Sequence, residues 1–518
     1  MELSFFIVSL CLCLLLKPLI NLLLLLHSSV SSKPINNNNN LPPGPPRISL
    51  IANFILHRKS FFELGPIIST LRKRYGPLIT VNLGSHPTIY IATNSLAHQA
   101  LIQNGAVFAD RPRSINNLIV SNSKKIISKS PYGPTWRALR RNLTAGVLHP
   151  NQLKSFSNVR KRVVCNLINN LKQDSEGNKA LFVEEHFRYA VFSLLVLLCF
   201  GENVEENQIK EIEIAQQRLF KNFHRFMLFI LIPKLGKLLF RKQWKELNEI
   251  VNGYDDVLVP LVKSRKKMKQ ETRKGEESVF YVDTLLNLHL SDEEEEKMTL
   301  NEGEIVGLCN EFVSAGTDTS AISLQWIMAN IVKNPTIQEN ILKEIKEVVT
   351  GKDDTKEENP TIKEDDLQKM PYLKAVVLEG LRRHPPGYAP ATPHAVTEDA
   401  ELGGYNIPKG TAVNFLIADI GRDPNVWENP MEFKPERFLK GNFDLTGSRE
   451  IKMMPFGAGR RICPGYGLAM LHMEYILANL IWYFEWKEVD GEEVDLTEKF
   501  DLTISMKKPL KVALSPRF

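Results

Sequence analysis

The 518 residues include only six cysteines, at positions 11, 13, 165, 199, 309 and 463, with no CxxC pair and no regular spacing. That pattern offers neither a disulfide framework nor a zinc ribbon. Charge of one sign is equally scarce. Lys+Arg at 65 against Asp+Glu at 59 leaves +6, too little over this length to indicate a nucleic-acid partner. A weakly basic chain still favours an anionic membrane surface. No repeat of 20–50 residues recurs, which excludes a solenoid. Hydrophobic residues at 43 % and charged residues at 24 % are ordinary for a globular protein, so wholesale disorder and collagen-like structure are excluded. The length equals roughly three average domains, but one large α-rich domain absorbs it equally well.

Long apolar runs are confined to the N-terminus. Leu3–Leu26 is interrupted only by Ser4, Ser9, Lys17, Pro18 and Asn21. At about 1.5 Å per residue, a helix of this length crosses the roughly 30 Å hydrocarbon layer. Lys17 resists burial there and Pro18 bends the helix. A cleaved signal peptide is the alternative, with Ser28–Ser31 as the cut site. It needs a positive n-region, and Glu2 stands there instead. The reading is an uncleaved anchor over residues 1–30. Lys33, Arg47, Arg58 and Lys59 follow it before Glu63, which places the body in the cytosol by the positive-inside rule. Asn36–Asn40 is a polar spacer, and Leu41-Pro42-Pro43-Gly44-Pro45-Pro46 a stiff extended hinge. Residues 31–60 thus form a linker, and 61–518 a single body.

Helical periodicity dominates that body, with β-like stretches at Leu78–Leu83, Thr88–Ala92 and Thr411–Phe415, the first two reading as a hairpin. Lys221–Trp244 mixes aromatics with Lys234, Lys237, Arg241 and Lys242. It reads either as two core helices joined at Pro233 or as a surface lip that dips into the bilayer. The runs Lys263–Lys269 and Glu293–Glu296 read as solvated faces. Thr299-Leu300-Asn301-Glu302 is a capping-box pattern, opening a helix that runs from Glu302 until Pro335 stops it. Such a helix, about 50 Å long, traverses a whole globular body. Its middle, Ala315-Gly316-Thr317-Asp318-Thr319-Ser320, sets a helix-weakening glycine and a costly carboxylate among apolar residues. Broken local rules at such a position mark a functional site.

The strongest signal is Phe456-Gly457-Ala458-Gly459-Arg460-Arg461-Ile462-Cys463-Pro464-Gly465, followed by a helical run from Leu468 to Leu480. Glycines permit tight turns and close backbone approach to a flat ligand. A cysteine near cations at a helix N-terminus is expected to favour the thiolate, a soft ligand for iron. Cys165, Cys199 and Cys309 lack that setting and read as structural thiols.

These ten residues resemble the haem-binding loop of the cytochromes P-450, the haem-thiolate monooxygenases. The resemblance continues in order along the chain. The anchor and proline hinge resemble the microsomal type. Trp136-Arg137-Ala138-Leu139-Arg140 resembles the family's W-x-x-x-R helix, and Ala315–Ser320 its oxygen-activation helix. Glu379-Gly380-Leu381-Arg382 resembles its E-x-x-R motif, and Pro435-Glu436-Arg437-Phe438 its P-E-R-F element. Within the family, Gly105–Pro112 and Glu379–Pro386 resemble the plant A-type, close to family 89 subfamily A.

The resemblance implies a mainly α fold with small β-sheets, a triangular helical prism about a long central helix, preceded by one transmembrane helix. It implies haem b with Cys463 as axial ligand, in a loop built from Phe456, Gly459 and Gly465. Trp136, Arg140, Arg461 and His394 match positions that hold the haem propionates. Asp318 and Thr319 match the proton-delivery pair, with Ala315 and Gly316 leaving room for dioxygen. Glu379, Arg382 and Arg437 match a buried structural ion-pair triad. The implied partners are O2, a small-molecule substrate, membrane lipid and an NADPH-dependent flavoprotein reductase. The implied location is the endoplasmic reticulum membrane. A substrate pocket is expected from around Ile115–Ile127, Lys221–Ile232, Ile305–Phe312, Gly387–Thr392 and Phe500–Ile504. Two rivals remain: a haem-thiolate isomerase or dehydratase, against which Asp318-Thr319 argues, and a non-catalytic haem-binding membrane protein. Asn142-Leu143-Thr144 is a glycosylation sequon, inert on a cytosolic helix.

Overall fold

Apolar residues at helical spacing produce ten helices of twelve residues or more among the described residues. They are α1 (Leu64–Tyr75), α2 (Pro134–Gly146), α3 (Ser157–Asp174), α4 (Glu184–Phe200), α5 (Glu206–Phe226), α6 (Arg241–Glu271), α7 (Glu302–Lys333), α8 (Pro335–Thr350), α9 (Pro371–Arg383) and α10 (Tyr466–Tyr483). The computed structural model describes residues 41–46, 61–82, 87–112, 125–177, 180–226, 229, 233–271, 279–292, 295–350, 362–441 and 443–518. The expected anchor, the asparagine spacer and most of Ile115–Ile127 lie outside these residues. Among the described residues no helix is long and apolar enough to cross a membrane.

Helix α7 is the axle. Its start differs from the expected Thr299 box: Asn301 is the N-cap, its Oδ1 accepting from Glu304 N at 2.9 Å while Glu304 Oε2 accepts from Asn301 N at 3.0 Å. The pattern S/T-x-x-E points to Thr299, but Thr299 is the last residue of the strand Glu295–Thr299, which leaves the capping geometry to Asn301. The helix ends where Pro335 begins α8, as the sequence predicts. α4, α6, α9 and α10 surround α7. Trp326, Ile327 and Ile331 are fully buried within that bundle.

Four small strands form a sheet in the order β1 (Leu78–Val81), β2 (Thr88–Ile91), β5 (Ala412–Phe415), β4 (His394–Ala395). β1 and β2 pair antiparallel with Leu78 opposite Ile91, the expected hairpin. β2 runs parallel to β5, a pairing that no local sequence pattern announces. A second sheet joins β6 (Phe484–Lys487), β9 (Lys511–Pro516) and β3 (Leu181–Phe182), and β7 (Glu498–Phe500) pairs with β8 (Ile504–Met506).

The proline hinge is part of the body. Thr80 N donates to Pro43 O at 3.0 Å and its hydroxyl to Pro42 O at 2.6 Å. A β-carbon on Gly44 would lie 1.8 Å from Thr80 O, so only glycine fits beneath the strand. The Lys221–Trp244 region combines elements of both expectations. Phe226 and Phe229 are buried, whereas Leu238 and Leu239, in the short helix Pro233–Leu239, are more than half exposed.

Candidate active site

Two glycines with positive φ, Gly457 at 72° and Gly459 at 70°, fold the Phe456–Gly465 loop back on itself. A β-carbon on Gly459 would sit 2.1 Å from Leu101 O. The loop closes through Cys463 N, which donates to Phe456 O at 2.8 Å, and Gly465 then caps the N-terminus of α10. The gathering of Cys463 with Arg140 is as expected: Arg140 Nη2 donates to Ile462 O at 2.6 Å. The expected preference for thiolate is reversed in the protein alone. Burial pushes the Cys463 thiol up, and the Gly465 amide and Arg140 oppose it incompletely. Two residues, Pro464 and Gly465, separate Cys463 from α10.

Trp136, on α2, is buried and its Nε1 has no hydrogen-bond partner among the described residues. Arg461 lies 4.4 Å from that ring centroid and donates to Ala109 O, Ile127 O and Ser130 O, leaving two of its five N–H groups over. A buried donor lacking an acceptor, flanked by arginines, suits a carboxylate-bearing ligand. His394, on β4, holds Phe108 O through Nδ1 at 2.7 Å. Burial first, then Arg111, brings its pKa down to about 3, so the ring is neutral. The remaining nitrogen, Nε2, carries a proton only when the ring is charged, and a propionate beside it would promote that charge.

The middle of α7 opens onto a cavity of about 1010 Å³ lined by Ala315, Asp318 and Thr319 and also by Pro455, the residue before this loop. Of the expected pocket segments, Ile126, Lys221, Gly307, Asn310, Glu311, Gly387, Ala389–Thr392 and Asp501–Thr503 line it. Thr319 Oγ1 donates to Ala315 O at 2.8 Å, the ordinary bond of a threonine back to its own helix. A β-carbon on Gly316 would lie 2.8 Å from Leu195 Cδ1, so its bareness admits the close approach of α4.

Asp318 pairs with Arg188 Nε at 3.2 Å, and the Nη1 of the same arginine holds Glu213 at 2.9 Å. Burial raises the Asp318 carboxyl, with Arg188 pulling the other way. Sequence reasoning missed Arg188 and Glu213. The signal was present: Arg188 is a lone cation opening the apolar run Tyr189–Phe200, and a charge in such a place needs a partner.

Glu379, Arg382 and Arg437 come together as expected. Arg382 holds Glu379 through two bonds, 2.7 and 2.8 Å, with both side chains fully buried, and Arg437 Nε stands 3.4 Å from Glu379 Oε1. Arg382 also donates to Gly421 O, Pro430 O and Glu432 O.

The cytochrome P450 family profile matches residues 42–514. The chain belongs to the cytochrome P450 family. This P450 is 46 % identical to cytochrome P450 89A9 of Arabidopsis thaliana over 489 residues, 92 % of this chain and 94 % of that one. That likeness supports the family 89A assignment. It is 32 % identical to melianol synthase of Ailanthus altissima, covering 91 % of this chain and 89 % of that one. A zebrafish cytochrome P450 solved with progesterone superposes with a TM-score of 0.71 at 24 % identity, covering 88 % of this chain and 99 % of that one, and shares the mainly α fold. This P450 is a haem-thiolate monooxygenase of plant metabolism, and membership implies haem b with a cysteine ligand.

Proposed function

We propose that this P450 is anchored in the endoplasmic reticulum membrane with its body facing the cytosol. There it would take NADPH-derived electrons from a flavoprotein reductase and insert one atom of O2 into a small, largely apolar metabolite. The observation that supports the site assignment is that Ala315, Asp318 and Thr319 line one cavity together with Pro455, the residue immediately before the Phe456–Gly465 loop. When bound, haem supplies the redox-active iron at which O2 is activated.

The protein's own residues set the conditions. Cys463 would supply the thiolate that holds the haem iron. Trp136 Nε1, the spare N–H groups of Arg461, Arg140 and His394 would hold the haem carboxylates. Thr319 can turn its hydroxyl from Ala315 O toward the cavity, and Asp318 moves protons to that hydroxyl when it leaves Arg188. Gly307, Ala389 and Pro390 give part of the wall an apolar surface. Arg137, Arg141 and Arg460 are exposed on one face beside Tyr132, whose hydroxyl accepts from Arg460 at 2.6 Å, and they form the docking surface for an acidic reductase.

The test is to purify the full chain with haem and record the carbon monoxide difference spectrum of the reduced protein. A red-shifted Soret band is expected for the parent and its loss for Cys463→Ser; retention of the band in that variant overturns the ligand assignment. Co-expression with a plant reductase, followed by untargeted metabolite profiling against Cys463→Ser, identifies the substrate. Absence of reductase-dependent NADPH consumption across a broad panel would favour an isomerase or a non-catalytic haem protein.

A further inference from the structure

Glu311 lies one turn before Ala315 on α7 and faces the same cavity. Both of its oxygens are engaged by backbone: Oε2 accepts from Ile127 N and Oε1 from Ser128 N, each at 2.7 Å. The segment it grips follows a stretch outside the described residues and lines the cavity through Ile126 and Ser128. That segment's carbonyls are held by two arginines. Arg461 takes Ile127 O and Ser130 O, and Arg111 takes Ser128 O at 2.7 Å. Consecutive peptide groups are therefore pinned between a carboxylate on the central helix and two arginines, one of them two residues from Cys463. Nothing in the ion-pair triad or in the proton path uses Glu311.

We propose that Glu311 is a positioning residue that fixes the Ile126–Ser128 wall of the substrate cavity and thereby sets which ligands fit against it. A carboxylate is suited to the task because only an acceptor with two oxygens can take two adjacent amide protons at charge-assisted strength. Glutamine supplies one acceptor and turns an amino group against the second N–H. Aspartate keeps the charge on a stem too short to hold both. The proposal rests on the reading that this cavity receives the substrate.

With the substrate unidentified, the probes are imidazole, which needs only the haem iron, and 4-phenylimidazole, whose ring also meets the cavity wall. Both are titrated by their Soret shift on the haem-loaded parent, Glu311→Gln and Glu311→Asp, alongside hydrogen exchange of the Ile127 and Ser128 amides. For Glu311→Gln the carbon monoxide band persists and imidazole affinity stays within twofold. Exchange at the two amides accelerates at least tenfold, and the preference for 4-phenylimidazole over imidazole falls at least fivefold. Glu311→Asp is intermediate in both. Amide exchange and probe preference within twofold of the parent overturn the proposal, as does faster exchange spread evenly over the helices. If Glu311→Gln loses haem, the same two readouts on Glu311→Asp decide. Failure of imidazole to bind the parent would overturn the cavity reading alone, since the exchange signature of the clamp would remain.

Discussion

At the residue scale, a few buried charges decide whether the site exists. Glu379 and Arg382 are fully buried and satisfied by each other, by Arg437 and by nearby backbone, so removing one strands the other in a dry interior. Arg382→Leu is expected to cost about 3–5 kcal/mol and to yield protein without haem, measured by urea denaturation and by haem content. Asp318 is held in an ion pair with Arg188, away from the proton delivery proposed for it. Asp318→Asn should keep the carbon monoxide band while reductase-supported oxidation falls about 10²-fold, read from product formed per haem. The identities of these residues were legible in the sequence, because five motifs stand in order. Their partners were not. Arg188 and Glu213 lie on α4 and α5, and only the packing of those helices beside α7 brings them to Asp318.

At the element scale, α7 does two jobs whose demands conflict. It must pack tightly against α4 and also expose a polar stretch to the cavity. Gly316 serves the packing, as its 2.8 Å approach to Leu195 shows. Gly316→Ala should destabilise the fold by about 1–3 kcal/mol through overpacking, and Leu195→Ala in the same chain should lessen that increment in a double-mutant cycle of urea midpoints. A glycine inside a helix announces itself in the sequence, but whether it faces ligand or neighbour does not. The extent of α7 was readable to within a residue at its end, since Pro335 stops it. Its cap was not, because the strand Glu295–Thr299 claims the threonine that the local pattern offers.

At the scale of the whole molecule, buried histidines tie stability to acidity. His472, on α10, has no partner for Nε2 among the described residues, and burial together with nearby Arg160 brings its pKa down to about 3. His384 also falls to about 3, chiefly through burial, and as a neutral ring it meets Glu498 at 3.2 Å. Both bind a proton more readily unfolded, where the ordinary value is about 6.5. Their contribution is complete above that pH and is lost as pH falls toward 3. His472→Leu removes one such group. Relative to the parent, this variant should gain about 1 kcal/mol per pH unit between pH 6.5 and 4, followed by denaturant midpoints at each pH. Composition conveyed none of this, because a histidine's burial is a property of the assembled bundle.

The grip of Thr80 on Pro42 and Pro43 bears on how the protein is handled. A shortened version for crystallisation cannot begin at Phe61, where the helical body opens. Such a cut would strip two acceptors from the edge of the four-stranded sheet and uncover the trough in which Gly44 lies. Trimming ahead of Leu41 keeps that edge covered while discarding the apolar leader and the asparagines.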